Sequence, residues 1–215
     1  MTAVRVKICG INDPAAFDAA VEAGADWVGF VFFPPSPRYV TPAQAAHLSA
    51  RNAGGPRRVG LFVDPEEDAI RAALDALRLD VLQLYGRVDI TALRAGVGLE
   101  IWRPVAVENA TDLPAGAQGA DALVLEAKAP VEASRPGGNA LCFDWSVLRG
   151  WVAPAPWILA GGLNPDNVGE AIRRTNAPAV DVSSGVEISR GVKDPALIRC
   201  FITRVRAAQA QENGG

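Results

Sequence analysis

Histidine is almost missing from these 215 residues: His47 is the only one, and cysteine appears three times, as Cys9, Cys142 and Cys200. A Ser-His-Asp triad needs an imidazole, and zinc sites usually take several His or Cys ligands, so both chemistries would rest on too few residues. Neither a triad nor most zinc chemistry is therefore expected. The cysteines are odd in number and far apart, which makes no disulfide framework and fits a reducing, cytoplasmic compartment. A surplus of positive charge is lacking too. With 21 Lys and Arg against 24 Asp and Glu, the formal net charge of −3 leaves no basic stripe for nucleic acid. No apolar run is long: the strongest, Trp27 to Phe33, falls far short of the roughly 20 residues that a bilayer span takes, so no membrane partner is expected. The opening segment Met1–Cys9 has no apolar stretch of signal-peptide length. Disorder is excluded by 49% hydrophobic residues and nearly balanced charge.

What is present is a repeated phrase. A short apolar run leads into a loop, then Asp, Asn or Thr directly before Pro, then an Ala-rich stretch. Asp13-Pro14, Thr41-Pro42, Asp64-Pro65, Asn164-Pro165 and Asp194-Pro195 all follow it. A capping side chain satisfies free N–H groups at a helix start, and proline at the next position fixes a helical φ where its missing N–H costs nothing. The pattern predicts helices over Pro14–Ala23, Pro42–Arg51, Pro65–Leu77, Pro165–Arg174 and Pro195–Ala210. Weaker signals fall at Ile90–Ala95, near Thr111 and at Trp145–Gly150, with Asp144 as the cap of the last. Strands are predicted over Val4–Cys9, Trp27–Phe32, Arg58–Val63, Val81–Leu84, Glu100–Val105, Ala122–Leu125, Trp157–Ala160 and Ala179–Val182. Short, continuously apolar strands suit a parallel sheet buried on both faces. Eight strand–helix units in 215 residues, about 27 each, predict an α/β, single-domain (β/α)8 TIM barrel over 1–210, with 211–215 a flexible tail. An open doubly wound sheet is the alternative, because periodicity does not show closure.

In both architectures ligands bind beyond the carboxyl ends of the strands, and unusual residues gather there. Cys9-Gly10 ends the first strand, and the stiff Phe33-Pro34-Pro35-Ser36-Pro37-Arg38 follows the second. Glu126 ends the sixth, Gly161-Gly162 the seventh, and Asp181-Val182-Ser183-Ser184-Gly185 spans the end of the eighth. A thiolate beside glycine is a candidate base, although a lone cysteine is more often inert. Glu126 reads equally as a catalytic carboxylate or as a solvated one near Lys128. Arg38 suits a ligand carboxylate. The glycines and serines of the last two loops expose N–H and hydroxyl groups that suit a phosphate, where this barrel often binds one. His47 lies inside the second helix, away from any strand end. Gln83 and Arg103 lie within strands and read as polar groups of the barrel interior.

Taken together these motifs resemble the phosphoribosylanthranilate isomerase family. The resemblance is carried by Lys7-Ile8-Cys9-Gly10-Ile11, Ser36-Pro37-Arg38, Leu82-Gln83-Leu84, Pro136-Gly137-Gly138, Phe143-Asp144-Trp145, Leu159-Ala160-Gly161-Gly162-Leu163, Asp181 to Glu187 and Gly191-Val192-Lys193-Asp194. It runs from Val6 to about Phe201. It implies a cofactor-free Amadori rearrangement of a small phosphorylated substrate in tryptophan biosynthesis. Cys9 would be the general base, Glu126 the general acid and Asp181 a supporting carboxylate near the substrate amine. Arg38 would bind the anthranilate carboxylate, with Gly161, Gly162, Ser183, Ser184 and Gly185 around the phosphate. Three positions depart from the family pattern. The acid is usually aspartate but is Glu126 here, and a catalytic group misplaced by about 1 Å can cost on the order of a hundredfold. Gln-Leu-His-Gly reads Gln83-Leu84-Tyr85-Gly86, and Ala140 stands where the loop after the sixth strand has glycine. These departures motivate the alternative, a non-catalytic or repurposed phosphosugar-binding barrel. A monomer is the expected state, with a homodimer the alternative.

Overall fold

The apolar runs form eight strands: β1 (Arg5–Cys9), β2 (Trp27–Val31), β3 (Arg57–Val63), β4 (Val81–Tyr85), β5 (Glu100–Val107), β6 (Ala122–Ala127), β7 (Trp157–Leu159) and β8 (Ala179–Val182). The computed structural model describes residues 3–129 and 142–213. Each strand pairs in parallel with the next, and β8 closes on β1 from Arg5↔Ala179 to Ile8↔Val182. That last ladder makes the sheet a closed barrel and removes the open-sheet alternative. Outside it run α1 (Pro14–Glu22), α2 (Pro42–Ser49), α3 (Glu67–Ala76), α4 (Ile90–Gly96), α5 (Val168–Thr175) and α6 (Pro195–Asn213). Single turns at Ala110–Asp112 and Trp145–Leu148 follow β5 and β6. The last helix therefore continues through 211–213, which had read as tail; 214–215 lie outside the described residues.

Capping explains where most helices start. Asp13 accepts from the Ala16 N–H at 2.9 Å, Asp194 accepts from the Ala196 N–H at 2.7 Å, and Thr41 and Gln44 form a reciprocal capping box. Asp144 accepts from the Ser146 N–H at 2.9 Å, as the sequence predicts. Two starts come later than expected. Asp64 has φ 42° and turns its carboxylate to the Arg87 N–H, so α3 begins at Glu67 rather than Pro65. Asn164 spends its side chain on the N–H groups of Asp166 and Asn167, an Asx turn that delays α5 to Val168.

Alternation along the strands divides the apolar residues into two main cores, with a small third cluster of Cys9, Val31, Leu61 and Tyr85. One main core lies between barrel and helices; the other fills the lower barrel interior with Trp27, Val59, Val81, Trp102, Val124 and Ile158. The Trp27 and Trp102 rings meet edge to face at 5.1 Å, and the Arg5 guanidinium lies over Trp27. Above this layer sits an ion pair, Lys7 Nζ to Asp181 Oδ2 at 2.9 Å. Gly29 makes room for it: a Cβ there would stand 3.2 Å from Cys9 Sγ and 3.3 Å from Lys7 Cε. Gln83 is buried in the interior as expected. Arg103 is not: Trp102 takes the inward position, and Arg103 reaches the Gly86 carbonyl from outside at 3.4 Å. After β8 comes an element the sequence reading does not include, a hairpin of β9 (Glu187–Ser189) and β10 (Val192–Lys193) turning at Arg190-Gly191.

Candidate active site

The carboxyl ends of the strands converge on one pocket. β1 brings Cys9 to it, β4 Tyr85, β6 Glu126 and β8 Asp181; Arg38, Gly161, Gly162, Ser183 and Ser184 line its rim. Gly185 does not face the pocket. It packs on the Leu163 carbonyl with no space for a Cβ, and so joins the last two loops rather than lining the cavity. His47 lies exposed on α2. The loop with Pro136, Gly137, Gly138 and Ala140 lies outside the described residues.

Glu126 belongs to β6 itself, one residue before the strand ends, so the sheet and not a loop aims it. It is 7% exposed. Lys128, the partner of the solvated reading, pairs instead with Glu108 at 3.0 Å. Burial raises the Glu126 pKa to about 8; the Tyr85 hydrogen bond and Lys7 pull it down while Asp181 pushes it up. At neutral pH the carboxyl therefore holds its proton. Tyr85 Oη donates to Glu126 Oε2 at 3.2 Å, and Gln83 Nε2 donates to Tyr85 Oη at 3.3 Å.

Across the pocket, burial pushes the Cys9 thiol up, Lys7 opposes it, Asp181 adds to it and Lys193 opposes it, leaving the thiol above its ordinary value. Lys7 is fully buried, which alone would discharge it, but Asp181 and Cys9 outweigh burial and raise its pKa. It stays an ammonium beside the thiol. Asp181 keeps its second oxygen, Oδ1, buried and without a partner among the described residues, ready for a donor on a ligand.

Arg38 is not the free guanidinium that its sequence context suggests. Its Nε and Nη2 donate to Glu187 Oε1 and Oε2 at 2.6 and 2.9 Å. Its aliphatic stem packs on Gly10, whose φ of 76° and missing Cβ allow the approach; a Cβ there would be 2.5 Å from Arg38 Cδ. Glu187 also accepts from Lys193 Nζ and the Gly191 N–H. Burial alone would raise the Glu187 pKa, yet Arg38, Lys193 and Gly191 hold it at about 2. Lys193 reaches on to Ser183, donating to its carbonyl at 2.8 Å and its hydroxyl at 3.3 Å. One hairpin carboxylate thus ties the Arg38 loop to the serine loop.

Sequence reasoning missed Lys7, Glu187 and Lys193, and saw Tyr85 only as a lost imidazole. A signal existed for Lys7, because a charge centred in a strand buried on both faces must find a partner. Among the described residues no three His, Cys, Asp or Glu side chains converge as metal ligands.

A closed parallel barrel with a buried carboxyl and a thiol at its mouth, beside glycine and serine loops, has the build of a TIM-barrel enzyme. The family model for N-(5'-phosphoribosyl)anthranilate isomerase matches residues 6–204, and the chain belongs to that family. It is 53% identical over 206 residues to the N-(5'-phosphoribosyl)anthranilate isomerase of Granulibacter bethesdensis, covering 95% of this chain and 99% of that one. It is 51% identical over 211 residues to that of Paracoccus denitrificans, covering 95% and 98%. The crystal structure of the Thermotoga maritima isomerase superposes with a TM-score of 0.81 at 35% identity, covering 95% and 99%. A further solved structure, with TM-score 0.79, 34% identity and the same coverage, is an isomerase in complex with reduced 1-(o-carboxyphenylamino)-1-deoxyribulose 5-phosphate. The non-catalytic alternative is not favoured.

Proposed function

We propose that this barrel performs its family's reaction with Glu126 as general acid and Cys9 as general base, converting N-(5-phosphoribosyl)anthranilate to 1-(2-carboxyphenylamino)-1-deoxyribulose 5-phosphate in tryptophan biosynthesis. The observation that carries the assignment is the buried carboxyl at about 8, facing a thiol that has its own buried ammonium. Glu126 gives its proton to the furanose oxygen, the ring C–O bond breaks, and the anthranilate nitrogen's electron pair forms the Schiff base. Burial keeps Cys9 mostly as the thiol; its minor thiolate form, which Lys7 stabilises, then takes the proton from the sugar carbon next to it, giving an enolamine. Loss of the enol proton and protonation of the former anomeric carbon give the ketone. Two protons enter the substrate and two leave, so the protein ends unchanged and needs no redox partner.

The orphaned Asp181 Oδ1 accepts from the substrate amine N–H. The edge of Arg38 not held by Glu187 meets the anthranilate carboxylate, and Gly161, Gly162, Ser183 and Ser184 hold the phosphate. The test is turnover of freshly made substrate, followed by loss of anthranilate fluorescence. Cys9→Ala and Glu126→Gln each lower kcat by at least about a hundredfold with little change in KM, while Arg38→Ala mainly raises KM. Wild-type kcat in Glu126→Gln would overturn the assignment of the acid. A monomer in the cytoplasm completes the reading. The large exposed hydrophobics among the described residues are Tyr39, Val152, Ile188 and Val192, few for an obligate interface, and all three cysteines are free thiols. Light scattering after gel filtration distinguishes this state from a homodimer.

A further inference from the structure

We propose that Tyr85 is a positioning residue for the general acid, its hydroxyl occupying one oxygen of Glu126 so that the carboxyl proton stays on the other, which faces the substrate. The inference rests on the reading of Glu126 as the acid.

The direction of the hydrogen bonds carries it. Gln83 Nε2 can only donate, and it donates to Tyr85 Oη at 3.3 Å. That uses a lone pair of the phenol oxygen and leaves its hydrogen free to point at Glu126 Oε2, 3.2 Å away. A carboxyl oxygen that accepts a hydrogen bond is a poor place for the acidic proton. The proton therefore resides on Oε1, which takes no hydrogen bond among the described residues. Without Tyr85, either oxygen would carry the proton, and half of the protonated molecules would aim it at the wall. All three side chains are buried, Gln83 at 1%, Glu126 at 7% and Tyr85 at 8% exposure, so no water competes freely for these bonds.

Topology explains why these particular side chains are needed. Tyr85 is on β4 and Glu126 on β6, with β5 between them. Side chains from alternate strands share a layer of such a barrel. The phenol and the extra methylene of glutamate together span the gap. Two of the three departures from the family pattern are thus direct partners. The charged and titratable groups facing Glu126 are Tyr85 from β4, Asp181 from β8 and Lys7 from β1. Of these, Tyr85 and Lys7 favour its ionised form and Asp181 its neutral form.

Tyr85→Phe removes one oxygen and keeps the ring. The expected result is a kcat lower by about tenfold, with KM within about twofold of wild type. Infrared titration of the Glu126 carboxyl, assigned by its absence in Glu126→Gln, should move to higher pH, because a hydrogen bond to the ionised form is lost. In the Glu126→Gln background the same substitution should cost nothing further, since there is no proton left to orient. Unchanged kcat and titration in Tyr85→Phe would overturn the proposal while leaving the acid assignment intact. An equal tenfold loss in the Glu126→Gln background would also overturn it, by placing the action of Tyr85 elsewhere. Wild-type kcat in Glu126→Gln itself would remove both readings.

Discussion

Glu126 works against the stability of the fold that holds it. Its carboxyl ionises at an ordinary 4.5 when unfolded and at about 8 when folded. The folded state therefore binds the proton more tightly. That contribution is complete below pH 4.5 and lost as pH rises through about 8. Glu126→Gln stays neutral throughout. Its Tm should match wild type near pH 4.5 and exceed it above pH 8 by roughly 3 °C or more, while activity collapses. Equal Tm values at both pH values, read by calorimetry, would mean that Glu126 ionises normally. At this scale the sequence told only half of the site. Cys9 and Glu126 are readable because strand ends are readable and the motifs around them are distinctive. The partners that set their ionisation are not, because Lys7 meets Asp181 across 174 residues and Tyr85 meets Glu126 across 41. No local pattern reports which side chains a barrel brings face to face.

The hairpin β9–β10 behaves as a strut between two loops. Glu187 grips Arg38 on one side and Lys193 on the other, and Lys193 holds both polar groups of Ser183. The loops proposed to bind the anthranilate carboxylate and the phosphate are thereby tied together. Glu187→Gln removes the charge but keeps the size, so Arg38 and Lys193 lose their common anchor. KM for phosphoribosylanthranilate should rise by about tenfold or more, with a smaller effect on kcat. The site should also become less tolerant of acid in the wild type only where Glu187 itself gains a proton, as pH falls through about 2. An unchanged KM in a folded Glu187→Gln protein would show that the strut carries no load. Elements of this kind are hard to read from sequence. The strands and α1, α2 and α6 announce themselves by apolar runs and capped prolines. The hairpin has three residues in one arm and two in the other, and its reason for being is a tertiary ion pair. The late starts of α3 and α5 have the same origin: Asp64 and Asn164 cap turns rather than the helices that follow.

Closure of the barrel is uneven, and it is thinnest between the two loops proposed to hold the phosphate. β2 and β3 share five register pairs and β5 and β6 share six, whereas β7 and β8 share one, Leu159↔Val180. The strands there are also short, three and four residues. Few ladder bonds mean a low local cost of opening, so this seam is the first part of the barrel expected to fray. The loops proposed to hold the phosphate leave the sheet on its two sides, Gly161-Gly162 after β7 and Ser183-Ser184 after β8. A phosphate bound by both is a clasp across the seam. Closure of the fold and occupancy of the site are then linked, and ligand should stabilise the seam more than the opposite wall. Hydrogen exchange of the free protein should find the amides of Leu159 and Asp181, which face each other across the seam, less protected than those of Phe30, Leu61 and Leu82. A saturating product analogue should slow the first group by at least about tenfold and leave the second nearly unchanged. Equal protection of both groups before ligand, or an equal gain in both after it, would mean that the barrel opens only as a whole and that the phosphate loops do not clasp it.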